Sequence, residues 1–266
     1  MKKIALLAGL LIVVILAFSH EYILLAYKFK VSKGDTLEMH LFVADGFNID
    51  MERPMQPQAT SRFELLNENG VINLLSATAG GALPIVYRQV DFVGLGLLYM
   101  ERKYAYLNQP TANFLAYLRE DHIDNIKIKN DPLQPVQRER YTRYIKSLVQ
   151  SGQPRKDTLF KTNTGQQFEI ILLQNPYLLK KGASLQVQLL FKGRPLTGKV
   201  VTARNRTGAL PAIAITASTN QQGICSFPLP RQGEWFIHVT HMIPCMDKSI
   251  ADWESFWASY SFGISK

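Results

Sequence analysis

His20 is the residue of this sequence with the clearest chemical potential, because it stands just past an N-terminal apolar run. Lys2 and Lys3 precede uninterrupted apolar residues at positions 4–18, a pattern typical of a secretion signal. The run is shorter than the roughly 20 apolar residues that a membrane-spanning helix needs. Cleavage after Ser19 is therefore expected, and it would make His20 the first residue of the mature chain.

A free N-terminal histidine can bind a metal ion through two nitrogen atoms. Its α-amine, with an ordinary pKa of about 8, and its imidazole can close a chelate on one ion. A second imidazole would complete a three-nitrogen site, which suits copper(II) best and nickel(II) next. His238 is a candidate for this second imidazole, and the carboxylate of Glu21 could orient the His20 ring.

The chain is expected to function outside the cytoplasm, in the periplasm or as a secreted protein. If the segment 1–19 were not cleaved, it would instead anchor the protein in a membrane. The formal net charge of +9 is spread along the chain, and no nucleic-acid-binding motif is present. We therefore expect no nucleic-acid partner, whereas association with an anionic membrane surface would suit the basic excess.

Cys225 and Cys245 leave two alternatives open. The segments "GICSFPL" and "EWFIHVTHM" would form a hairpin if "PRQG" were their turn, and the two thiols would then come within bridging reach. An oxidising compartment favours such a disulfide. The alternative is a soft metal site that also uses Met242 and Met246.

Short strands dominate the rest of the sequence. Alternating apolar and polar residues, as in "TLEMHLF", and turn signals at regular spacing predict two consecutive β-sandwich domains of the Ig-like or transthyretin-like kind. We place the first domain at 20–155, a polar linker at 156–167 and the second domain at 168–266.

Two helices are predicted to be inserted near the end of the first domain. "NQPTANFLAYLREDH" carries apolar residues at helical spacing. "PVQRERYTRYIKSLVQSG" begins with a proline, places Tyr141, Ile145 and Leu148 on one helical face and ends at a glycine. Its exposed side would then be a solvated basic face formed by Arg138, Arg140, Arg143 and Lys146.

The whole chain after the signal resembles one family of exported bacterial proteins. The segments that carry the likeness occur in order: "HEYILLAYKFKVSKGDTLEMHLFVADGF", "RERYTRYIKSLVQSG", "FKGRPLTGKVVTAR" and "DWESFWASYSF". They resemble the NikM-like domain-of-unknown-function family, some members of which are associated with nickel or cobalt uptake systems. No single one of these segments is a catalytic signature.

The resemblance implies a histidine at the mature N-terminus, matched by His20, and a His-Met pair, matched by His241 and Met242. His241 thereby becomes the preferred partner of His20, with His238 second. Side chains three apart in a strand point to opposite faces, so His238 and His241 cannot easily serve one site. Many relatives carry acidic or His-rich stretches that this chain lacks, which puts nickel in particular in doubt.

The expected function is non-catalytic binding in the cell envelope. The ligand would be a transition metal ion, namely nickel, cobalt or copper, and a membrane transport component would be the partner. One alternative is a structural or interaction β-sandwich that binds a protein or a glycan. A copper-dependent oxidase is a distant third, because the common enzyme motifs are missing from the sequence.

Overall fold

The protein is built from stacked β-sheets, as seen in a computed structural model that describes residues 21–129, 131–180 and 182–264. The strands of the first half are β1 (Glu21–Ala26), β2 (Lys30–Val31), β3 (Thr36–Asp45), β4 (Asn48–Arg53), β5 (Thr60–Asn67), β6 (Gly70–Asn73), β7 (Val86–Gln89), β8 (Gly94–Arg102), β9 (Ala105–Pro110) and β10 (Val136–Ser151). The strands of the second half are β11 (Phe168–Leu172), β12 (Ser184–Phe191), β13 (Arg194–Pro195), β14 (Val200–Arg206), β15 (Ile213–Ser218), β16 (Ile224–Pro228), β17 (Gly233–Pro244) and β18 (Trp253–Ile264). Two α-helices, α1 (Leu74–Ala77) and α2 (Thr111–Glu120), complete the described regular elements together with short 3₁₀ turns.

The strands form three sheets. The central sheet has ten described strands in the order β15-β14-β17-β18-β10-β8-β5-β6, with β2 and β9 also paired to β10. A sheet of β1, β3, β4 and β7, here called the first outer sheet, packs on one face of it, and a sheet of β11, β12, β13 and β16, the second outer sheet, packs on the other. The predicted mainly β class is confirmed.

The alternation of side chains along central strands creates two hydrophobic cores. On β17, Trp235, Ile237 and Val239 belong to the core shared with the second outer sheet, whereas Phe236 belongs to the core shared with the first. Successive strand residues point to opposite faces, so a strand with a sheet on both sides must be apolar on both. Successive residues of β8 are buried for the same reason, since this strand also has an outer sheet on each side.

The central sheet joins the two segments that were predicted as consecutive sandwiches. β18, at the end of the chain, pairs in parallel with β10 over Glu139–Ser147 and antiparallel with β17. The segments 20–155 and 168–266 thus both contribute strands to the central sheet.

The predicted second helix is wrong, because the segment forms β10. Leu148 packs in one core and Ile145 in the other, so the apolar residues that mimic a helical stripe lie on opposite faces of a strand. The basic residues of this segment were expected to be exposed to solvent, but Lys146 is not. Lys146 is 1% exposed, and its Nζ lies 2.6 Å from Oε1 of Glu169.

The first predicted helix is confirmed as α2. It covers the end of the central sheet through Phe114, Tyr117 and Leu118, which form a third cluster with Met242 of β17. Tyr117 stacks on Trp257 with ring centroids 5.6 Å apart. No helix in the described part of the chain is both long and apolar enough to cross a membrane.

The predicted disulfide is not formed, since Cys225 and Cys245 are free and buried. The expected hairpin does not exist: β16, which carries Cys225, pairs with β12 in the second outer sheet, whereas β17 pairs with β14 and β18 in the central sheet. The soft metal alternative fails as well. Met242 is fully buried beneath α2, and Met246 is 94% exposed.

The buried ion pair of Lys146 and Glu169 yields a stability prediction. The variant Lys146→Met should lower the free energy of unfolding by about 3–5 kcal/mol, because it leaves the Glu169 carboxylate buried without its cation. In the double variant with Glu169→Gln the amide oxygen can still accept from Thr164, which donates to Glu169 in the native protein through its backbone N–H and its hydroxyl. Most of the loss should therefore be recovered.

Urea unfolding followed by circular dichroism measures both variants. Arg155→Met is the control, because the Arg155–Glu68 pair is exposed to solvent and should contribute little to stability. Equal losses for Lys146→Met and Arg155→Met would contradict the assigned role of the buried pair.

Candidate functional site

A polar pocket of about 380 Å³ opens where the first residue of β1 meets the end of α2 and the strands β14, β15 and β17. Its ionisable lining residues include Glu21, Asp45, Glu120, His122, Arg204 and His238. Asp121 also borders it. Acidic groups outnumber the single arginine, so the pocket favours a positively charged ligand.

The strand register explains why Arg204 and His238 meet. On β14 and β17, Thr202 pairs with His238 and Arg204 pairs with Phe236, so Arg204 lies diagonally across from His238 on the same face of the sheet. Nε of Arg204 lies 3.3 Å from Nε2 of His238.

A glycine turn allows Glu21 to reach this pair. The backbone N–H of Gly46, in the turn between β3 and β4, donates to Oε2 of Glu21 at 2.9 Å. Gly46 has a φ of +63°, and a Cβ there would lie 3.1 Å from the Arg204 guanidinium. Oε1 of Glu21 lies 3.2 Å from Nε2 of His238 and 3.8 Å from Nε of Arg204. The turn therefore needs glycine both for its left-handed backbone and for space.

Burial controls the protonation of this cluster. Desolvation, with a further contribution from the Arg204 charge, lowers the pKa of His238 to about 4. Desolvation also raises the pKa of Glu21, although the Gly46 N–H and Arg204 oppose it. The His238 ring is thus neutral at pH 7. Its Nε2 either accepts from Arg204 or donates to Glu21, depending on the tautomer, but cannot do both.

The end of α2 is fixed to the central sheet by polar contacts. The hydroxyl of Thr240 donates to Oδ2 of Asp121 at 2.7 Å, and Nζ of Lys199 donates to the carbonyl of His122 at 3.1 Å. Burial lowers the pKa of Lys199 to about 8, against the attraction of Asp121 and Asp124. This wall of the pocket is therefore held by bonds to β17 and to the residue directly before β14.

The structure brings together two of the predicted site residues, Glu21 and His238. His20 lies outside the described residues. His241 faces the opposite core, with ring centroids 4.6 Å from Phe191 and 5.9 Å from Phe168. The central sheet itself thus separates His241 from Glu21, as the alternation of side chains requires.

Burial also deprives His241 and Met242 of the access that a ligand needs. His241 is 9% exposed and Met242 is fully buried. Desolvation lowers the pKa of His241 to about 4, and its Nδ1 has no hydrogen-bond partner in the described part of the chain. The Glu21 carboxylate, which was expected to orient the His20 ring, accepts from the backbone N–H of Gly46 and lies next to His238.

Within the ranges that the structure describes, no three His, Cys, Asp or Glu side chains are grouped closely enough to hold a metal ion. Three residues of the pocket, Arg204, Asp45 and Asp121, were not predicted from the sequence. Each reaches the pocket only through strand pairing or helix docking, and no local pattern in the sequence marks such a position.

The fold and the site define a β-sheet protein with a polar, mainly acidic pocket at the junction of its layers. A family model matches residues 17–243, and the chain belongs to that family, which is described as Domain of unknown function (DUF4198). The resemblance to a family of unknown function is thus confirmed.

Two solved structures are similar to this chain at low identity. The D0-D1 domain of Intimin is 9% identical, with 90% of this chain and 97% of that chain covered and a TM-score of 0.22. A tetra-tandem repeat in the extending region of a large adhesion protein is 11% identical, with 92% and 49% covered and a TM-score of 0.21. No curated protein sequence matches the chain.

The burial of a neutral His241 predicts that stability falls in acid. The unfolded chain takes up a proton near the ordinary pKa of 6.5, whereas the folded protein takes it up only near 4, so stability is lost as the pH falls between these values. Lowering the pH from 7 to 5 should cost about 2 kcal/mol through this residue.

Urea unfolding of the wild type and of His241→Phe at both pH values measures this contribution, and the variant should show a pH dependence smaller by that amount. Phe191→Leu is the control, because it disturbs the packing beside His241 without removing a titrating group. An identical pH dependence in the wild type and His241→Phe would contradict the assignment.

Proposed function

We propose that the protein is an exported, non-catalytic binding protein of the cell envelope that holds a transition metal ion at the Glu21–His238 pocket. The observation that carries the proposal is the contact of Oε1 of Glu21 with Nε2 of His238, 3.2 Å apart, beside an acidic pocket. Glu21 is the residue directly after His20, which supports the idea that the His20 nitrogens complete the site.

The protonation state of His238 suits this role. A metal ion binds the neutral form of imidazole, and the lowered pKa keeps His238 neutral down to about pH 4. The carboxylates of the pocket favour a cation, and a nitrogen-rich donor set favours copper(II) over nickel(II) and cobalt(II).

The described donors fit a metal ion only in part. Glu21 and His238 supply two donor atoms, and the Arg204 guanidinium lies against both. A cation bound there would displace Arg204 from Nε2 of His238 and would need at least one more donor. The proposal assigns this role to the α-amine and imidazole of His20, provided that cleavage falls after Ser19.

In this proposal the protein binds a transition metal ion and delivers it to a membrane transport component. It catalyses no reaction. The second candidate from the sequence is an interaction module for a protein or a glycan. This second function would be the better explanation if the protein bound neither Cu(II) nor Ni(II).

The test is a titration of Cu(II) and Ni(II) into mature protein whose N-terminus is His20, followed by calorimetry. His238→Ala should weaken binding at least tenfold, because it removes one nitrogen ligand, and an added residue before His20 should weaken it similarly by blocking the chelate. His241→Ala is the matched control, since it removes an imidazole on the far side of the central sheet.

Equal affinities for the wild type, His238→Ala and the extended protein would overturn the proposed site. An effect of His241→Ala as large as that of His238→Ala would do the same. To detect an oxidase, hydrogen peroxide formation by the copper-loaded protein and a reductant can be compared with that of free copper.

A further inference from the structure

Three arginines lie near one another beside the start of the first outer sheet, since the charges of Arg53 and Arg143 both act on Arg102. Arg53 ends β4, Arg102 ends β8 and Arg143 lies in the middle of β10. The ring of Tyr22, on β1, lies between two of them. The guanidinium carbon of Arg143 is 4.1 Å from its centroid and that of Arg102 is 5.8 Å from it.

The positions of Arg102 and Arg143 are fixed by their surroundings. Besides Tyr22, Arg143 contacts two more aromatic rings. Its guanidinium carbon lies 4.6 Å from the ring centroid of Tyr141 and 5.3 Å from that of Trp257. Arg102 donates from its Nη atoms to Thr60 at 3.0 Å and to Gln56 at 2.7 Å. Planar guanidinium groups held in this way lose little conformational entropy when a ligand binds.

The positive charges of this cluster are not neutralised within the described ranges. None of the three arginines makes an ion pair there, and the Nε atoms of Arg53 and Arg143 are buried without an acceptor. Burial lowers the pKa of Arg102, and the charges of Arg143 and Arg53 lower it further. Buried donors that lack an acceptor cost free energy, so such an arrangement is unusual without a function.

The carboxyl group of Glu139, on which the charge of Arg143 acts, is engaged by other groups. It lies four residues before Arg143 on the same face of β10, and it accepts from the hydroxyls of Ser255 and Tyr117. Burial raises the pKa of Glu139 to about 7, so it is only partly ionised at neutral pH. It therefore provides at most part of the negative charge that three guanidinium groups require.

We propose that Arg53, Arg102 and Arg143 bind an oxyanion, namely the phosphate or carboxylate group of a small anionic ligand. The guanidinium fork matches the oxygens of these groups, and the unsatisfied Nε atoms supply donors that such oxygens can accept. This site differs from the proposed metal site, because it uses different residues and attracts a charge of the opposite sign.

Calorimetric titration with inorganic phosphate, sulfate and glucuronate tests the proposal and separates the two ligand sources. Binding of phosphate and sulfate but not glucuronate would identify the ligand group as a tetrahedral oxyanion. Binding of glucuronate but not phosphate or sulfate would identify it as the carboxylate of an acidic sugar. Arg143→Gln and Arg53→Gln should each weaken the binding at least tenfold. Arg143→Lys should restore only part of it, because lysine keeps the charge but lacks the fork.

The matched control is Arg206→Gln, which removes the same charge from a partly exposed arginine paired with Glu234. Its affinity should equal that of the wild type. Arg102 is left unchanged because its bonds to Thr60 and Gln56 support the fold, and circular dichroism verifies that each variant is folded. Absence of binding of all three probes at millimolar concentration, or an equal loss in Arg206→Gln, would overturn the proposal.

Discussion

The parallel pairing of β10 with β18 is the constraint on which the rest of the structure depends. It runs from Glu139 with Trp253 to Ser147 with Ser261 and brings the end of the chain into the centre of the largest sheet. Both cores include residues of β10, and β18 connects β10 to β17. Without this pairing the central sheet would split into two parts with exposed edges, and neither outer sheet would have a complete surface to cover.

The central position of β10 explains its unusual polar content. Its buried polar residues include Gln137, Glu139, Thr142, Lys146, Ser147, Gln150 and Ser151. Each needs a partner, since an unsatisfied buried polar group is costly. Ser151 donates to the carbonyl of Phe92 at 2.7 Å, and the hydroxyl oxygens of Ser147 and Ser261 of β18 lie 2.9 Å apart. These bonds fix the register of neighbouring elements in a way that apolar contacts alone would not.

The sequence predicts the local elements of this protein better than their arrangement. Strands such as β3 alternate clearly because only one face is buried, and α2 is marked by helical spacing. β10 was mistaken for a helix because burial on both faces removes the alternation that identifies a strand. The hairpin expected for Cys225 and Cys245 failed for a different reason. Adjacent strands in the sequence joined different sheets, and no local pattern specifies that choice.

The candidate site shows the same division between local and long-range information. The opposite orientations of His238 and His241 follow from the period of a strand, and the structure places them on opposite faces of the central sheet. The sequence does not show which of the two histidines lies next to Glu21, because this depends on the side of the central sheet on which β1 packs. Ser259 and Ser261 of β18 donate to the carbonyls of Tyr22 and Leu24 and hold β1 on the side of His238.

The same docking of β1 accounts for the two oppositely charged regions near its start. Glu21 contributes to the acidic pocket, whereas Tyr22 contacts Arg102 and Arg143. A small cavity borders Glu21, Tyr22, Arg143 and His238, so the two regions are neighbours. Neighbouring charges of opposite sign attract each other more strongly when they are partly shielded from water. If a cation binds in the pocket and an anion binds at the arginines, as proposed, each would stabilise β1 in its docked position and would couple ligand binding to folding at the start of this strand.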